Sequence, residues 1–187
     1  SKDISIPFSS EPSVNDTFAL IQHGQKEKAK QFFMNWLESS VSEILYICDQ
    51  YFTINDIEWL FCIQSVIPDL TVIIVSSKKK NDCQNLQEEY KQAWRNSYQT
   101  TPLPVTFFLI DCGDREESFL HDRWCLSEKS GLDIGTSFNG LGMKESKLKI
   151  IPQNESDKQK NDLQTALLSK TIPGTHEKLY YEKIEIN

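Results

Sequence analysis

Three short apolar runs constrain this chain more than any other feature: SEILYICDQYF from residue 42, LTVIIVSS from residue 70 and PVTFFLID from residue 104. Each is rich in β-branched and aromatic residues and falls far short of the roughly 18 apolar residues of a membrane span, so each predicts a buried strand. Helical patterns lie between them. Asn55 is placed to cap a helix carrying Ile57, Leu60, Phe61 and Ile63, and a later stretch turns Leu86, Tyr90 and Trp94 inward. Ahead of the first run, Ala29, Phe32, Phe33, Trp36 and Leu37 recur at helical spacing over residues 25–39. Behind the third, FLHDRWCL alternates, turns at EKSG and returns as LDIGTS, which predicts a hairpin. KLKIIP then suggests a strand, DKQKNDLQTALLSK a helix and KLYYEKIEI a terminal strand. This order predicts an α/β fold with a mixed sheet sandwiched between helices. Residues 1–24 are expected to form an N-terminal extended segment or linker, with Ile4, Ile6 and Phe8 as a candidate edge strand, and 25–187 to form one domain.

Charge narrows the function classes. The net charge is −7, whereas proteins that hold nucleic acid through phosphates alone are usually basic. A polyanion would need a local basic patch. The run Lys78, Lys79, Lys80 is one candidate; its alternative is a solvated turn. The five cysteines (Cys48, Cys62, Cys83, Cys112, Cys125) include no CxxC pair. An odd count without metal-ligand spacing points to a reducing, cytoplasmic setting and to no metal site or other cofactor. Cys48, Cys62 and Cys125, set among apolar residues, are expected to be buried. No transmembrane segment or export signal is evident. The chain begins with Ser, so further domains of a longer chain are among the expected partners.

The chemistry concentrates between residues 119 and 140, FLHDRWCLSEKSGLDIGTSFNG. Two residues apart on a strand, His121 and Arg123 would share a face, an imidazole beside a guanidinium fork. Thr136, Ser137 and Asn139 on the return could offer hydroxyls and an amide to the same spot, and Glu128 a carboxylate to orient the histidine. Asp49, at a strand end, could support the site or simply bond the next loop. That set suits attack on a phosphodiester without a metal.

The spacing resembles the HKD motif of the phospholipase D superfamily. His121, Arg123, Glu128, Gly135, Thr136 and Asn139 keep every interval, with Arg for Lys, Glu for Asp and Thr for Ser. Over roughly residues 25–151, the order of elements resembles a single-copy phospholipase D-like domain, especially the C-terminal module of MIT-domain proteins. The superfamily implies a histidine that attacks phosphorus to form a phosphohistidine, and a second that protonates the leaving group. No second motif is present: His176 and Lys178 are followed by Lys183 where an acid is required, and His23 has no motif. The resemblance therefore implies a homodimer in which His121 faces its counterpart.

Two function classes follow. In the first, the chain is a metal-independent phosphodiesterase, a nuclease or nucleic-acid-processing module, with bacterial defence proteins as the analogy for its setting. His121, Arg123 and Glu128 would be catalytic, and Arg123, Thr136, Ser137 and Asn139 would hold phosphate. In the second, the site grips a nucleic-acid or phospholipid head-group phosphate, or a partner chain, without cutting. The acidic balance and Arg123 favour it, because a planar guanidinium binds phosphate well yet is bulkier than an ammonium. Two other enzyme patterns fail: Ser76 stands where a PD-(D/E)xK nuclease needs an acid, and Cys125 is too far along its strand to pair with His121.

Overall fold

The computed structural model describes residues 17–111 and 120–187. Its centre is an eight-stranded mixed sheet. The three apolar runs become β2 (Ile44–Cys48), β3 (Thr71–Ser77) and β4 (Val105–Asp111), all parallel. The hairpin is β5 (Trp124–Leu126) and β6 (Gly131–Ile134), with β7 (Ser146–Ile151) and β1 (Phe18–Ile21) continuing antiparallel beyond it. Terminal strand β8 (Tyr180–Ile186) pairs antiparallel with β4 at the other edge. The sheet therefore runs β1-β7-β6-β5-β2-β3-β4-β8. Because β1 is a full member of it, the domain begins before residue 25. Ile4, Ile6 and Phe8, Cys112, and the acids Asp114, Glu116 and Glu117 lie outside the described residues.

Four helices of the described residues cover the sheet unequally. Helices α1 (Lys26–Ser40), α2 (Ile57–Val66) and α3 (Leu86–Ser97) share one face with the larger core. There Phe33, Trp36, Trp59, Tyr90 and Trp94 are fully buried, each worth roughly 1.5–3 kcal/mol by area removed from water. Helix α4 (Gln153–Ser169) alone covers the opposite face, packing Leu163, Ala166 and Leu167 near Tyr46, Leu126 and Ile151. Its first turn lies four residues ahead of the predicted DKQK start. Cys48, Cys62 and Cys125 are buried and free, as expected.

Helix α2 is entered differently from the prediction. Thr53 caps the 3-10 turn that leads into it: its hydroxyl accepts from the Asn55 amide, and Asp56, at the helix's own N-cap, returns a carboxylate to the Thr53 amide. Asn55 falls inside the short 3-10 turn over Ile54–Asp56 that leads into the helix. A reciprocal capping pair satisfies two amides where a single cap satisfies one.

Candidate phosphate site

Four segments meet at one end of the sheet: the chain leaving β2, the chain leaving β3, the entry to β5 and the turn after β6. Register explains why. Strand β5 runs antiparallel to β2 with Cys48 opposite Trp124, so the next step outward sets Asp49 against Arg123. The Arg123 Nε lies 4.0 Å from Asp49 Oδ1, close enough for charge attraction and too far for a hydrogen bond.

Asp49 is the hub of this end. It is fully buried, and its two oxygens accept from the amides of Tyr51 and Phe138, each at 2.9 Å. Burial pushes its carboxyl above the ordinary range, while those amides and the Arg123 charge oppose the shift. One carboxylate thus ties the exit of β2 to the Gly-Thr-Ser-Phe-Asn turn. That turn is pinned a second time by the Phe138 ring, which packs among Phe33, Phe52 and Trp59.

The motif residues come to this end with one exception. His121 is exposed and makes no hydrogen bond with the described residues, and Arg123 keeps about a quarter of its side chain exposed (26%). Neither is inside a strand, since β5 begins only at Trp124. Arg123 is instead held by its carbonyl, which accepts from the Ile134 amide at 2.9 Å, and by the Tyr51 ring, 5.5 Å from its guanidinium carbon. Its Nε is buried without a hydrogen-bond partner. Thr136 is half-buried against Gly140, and the Ser137 hydroxyl donates to the exposed Asn139 side chain. At Gly135 the backbone passes β7 so closely that a Cβ would come within 2.9 Å of the Lys147 carbonyl oxygen.

Glu128 is the exception. It sits at the far end of the hairpin, seven residues and roughly 20 Å of extended chain from His121. Its carboxylate accepts from the amides of Ser42, Glu43 and Ile44 at 3.1, 3.0 and 2.6 Å, where the chain enters β2. Burial works against its charge, but these amides prevail and hold the carboxyl below its usual range. Within one chain Glu128 locks the hairpin to β2, and the expected part in orienting His121 is corrected accordingly.

Sequence reasoning passed over Tyr51, Phe138 and Asn81. The lysine run divides in the structure: Lys78 pairs with Glu182 at 3.3 Å, whereas Lys80 lies 5.3 Å from the Tyr51 ring centre. Trp124 is partly buried against the smaller core. Among the described residues, no group of three or more His, Cys, Asp or Glu side chains is arranged to hold a metal ion, and no helix is long and apolar enough to cross a membrane.

Comparison with protein-family models and with curated proteins finds no match. Solved structures do match. NucT from Helicobacter pylori superposes with a TM-score of 0.55 at 17% identity, covering 81% of this chain and 96% of NucT. TrmBL2, an archaeal chromatin protein whose structure shows a novel mode of DNA binding, superposes with a TM-score of 0.51 at 8% identity. That match covers 91% of this chain and 54% of TrmBL2. The likeness is one of fold, and the fold is phospholipase D-like.

Proposed function

We propose that the chain is a phospholipase D-like phosphodiesterase acting on nucleic acid through a histidine nucleophile. The observation that carries this is the Arg123–Asp49–Phe138 link, which sets Arg123, two residues after His121, at the same sheet end as the Thr136–Asn139 turn, on a fold like that of NucT. His121 would attack phosphorus, forming a P–N bond as the P–O bond to the leaving group breaks. The leaving oxygen takes its proton from the histidine of a second protomer, because no other histidine of this chain sits in a motif. Water then hydrolyses the phosphohistidine and restores the imidazole. Arg123, Thr136, Ser137 and Asn139 would hold the phosphate oxygens. The nucleophile itself needs no metal.

One observation favours a second reading, a module that grips phosphate without cutting it. His121 lacks any hydrogen bond with the described residues to fix its tautomer, while Arg123 is already braced by Asp49 and Tyr51. A braced cation beside an unbraced imidazole suits binding better than in-line attack.

The test is cleavage in excess EDTA of a chromogenic diester, single- and double-stranded DNA, and RNA, comparing the wild-type chain with His121→Ala. Metal-free cleavage that falls at least ~1,000-fold in the variant is the expected result. A folded, dimeric wild-type chain that cleaves nothing would shift the assignment to the binding module. A strictly monomeric chain would remove the two-histidine mechanism.

A further inference from the structure

A second cation faces the same site from the neighbouring strand. The chain leaving β3 forms a 3-10 turn over Lys78–Asn81, and Asn81 fixes that turn against the exit of β2. The buried Asn81 amide donates to the carbonyls of Phe52 and Ser77, both at 3.0 Å, and lies 3.3 Å from the Ser76 hydroxyl. Ser76 itself donates to the Phe52 carbonyl at 2.8 Å. The lysine turn is thereby tied to the residue beside Tyr51.

The outcome is a ring with two cations on it. Lys80 Nζ lies 5.3 Å from the Tyr51 centroid and the Arg123 guanidinium carbon 5.5 Å from it, both within cation–π range. Lys78 is spent on Glu182, whereas Lys80 forms no ion pair with any described residue. An exposed lysine normally carries a large rotamer entropy. Here the aromatic face restricts it, on a turn whose backbone is held from within.

We infer that Lys80 is a second anion contact of the site and Tyr51 its positioning residue. The ligand is then a strand with consecutive phosphates, gripped in preference to an isolated phosphodiester. This rests on the phosphodiester assignment above and extends it. Arg123 takes the phosphate at the histidine, Lys80 takes its neighbour, and the ring sets their separation.

Anisotropy of a short fluorescein-labelled oligothymidylate, with dimethyl phosphate as the single-phosphate competitor, tests this without requiring cleavage. Lys80→Ala should weaken the oligothymidylate about tenfold and reduce the slope of log affinity against log salt by about 0.7, the contribution of one phosphate on a single strand. It should leave dimethyl phosphate competition unchanged. Tyr51→Ala should weaken the oligothymidylate at least as much as Lys80→Ala, because it frees Arg123 as well, and Tyr51→Phe should bind as wild type, because the ring and not the hydroxyl holds the cations. Wild-type affinity in Lys80→Ala, with Arg123→Ala weakened, would overturn this inference and leave the phosphate site standing. An unchanged Arg123→Ala, or a wild-type chain that does not bind, would overturn both. Vesicles containing phosphatidylinositol bisphosphate form the last arm: Lys80-dependent binding there, with none to the oligothymidylate, would overturn the strand assignment.

Discussion

The two ends of the β5–β6 hairpin are built on opposite terms. At the Glu128 end nearly every polar group is paired. Glu128 takes three amides of the chain entering β2, and Ser127 donates within reach of both the Ser40 and Ser130 carbonyls. Ser130 donates to the Ser40 hydroxyl while accepting from the Trp36 indole. Helix α4 adds Lys160 on the Ser127 carbonyl and Gln153 on that of Glu128. At the other end His121 is exposed, Arg123 has a buried Nε without a hydrogen bond, and the Arg123–Asp49 ion pair spans 4.0 Å. Satisfied polar networks rigidify, and unsatisfied ones retain capacity to bind. The hairpin is held at one end and leaves polar groups without hydrogen-bond partners at the other.

Breaking the closed end should give the largest stability effect. Glu128→Ala strips a carboxylate from three amides and should cost about 3 kcal/mol in denaturant unfolding. The folded fraction should bind phosphate as wild type does. A variant that keeps its stability and loses binding would restore Glu128 to the site.

The next effect is a pH dependence beside the open end. Burial raises the Asp56 carboxyl from 3.8 to about 6, with Asp49 and Glu58 adding repulsion against the Thr53 amide that it accepts. The folded chain therefore holds this proton more tightly than the unfolded one. Asp56 contributes a stability loss as pH rises from 3.8 to about 6, on the order of 2 kcal/mol across that window. Asp56→Asn, which keeps an oxygen for the Thr53 amide, should flatten that limb of the profile. An unaltered profile would show that Asp56 ionises freely.

Smaller effects complete the contrast. Ser130→Ala leaves the Trp36 indole without its partner, and the Ser40 hydroxyl with only Ser39, and should cost about 1 kcal/mol. His121→Ala, at the open end, should change stability by less than about 0.5 kcal/mol, as expected of an exposed side chain. A large loss there would mean that the histidine is structural, and the comparison between the two ends would collapse.

The helices and all of the sheet but β1 were legible because apolar period and run length mark them directly: LTVIIVSS could only be buried, and Leu86, Tyr90 and Trp94 could only share a face. The site was legible in part. Spacing brought forward His121, Arg123 and the Thr136–Asn139 turn, but it also carried Glu128, whose interval is set by hairpin length and not by proximity to the histidine. Asp49 could be noticed as an acid at a strand end. Its bond to Tyr51, two residues on, is a local one, but its bond to Phe138 depends on a pairing of β2, β5 and β6 that no local pattern encodes. Lys80 was hidden for a related reason. Three adjacent lysines look alike in sequence, and only the Asn81 tie separates the one against Tyr51 from the one paired with Glu182.

Gly135 shows what a spacing motif can report. The carbonyl of Lys147 occupies the space that a Cβ would need, so glycine is required here by the crossing of two backbones, whether or not a phosphate ever arrives. Its presence is information about folding alone. A chain with no phosphate chemistry at all would need glycine at 135 just as much, and the amides that Glu128 accepts from make the same demand for an acid at 128. The proposed chemistry would leave its record elsewhere, at His121, Arg123 and the polar side chains of the Thr136–Asn139 turn.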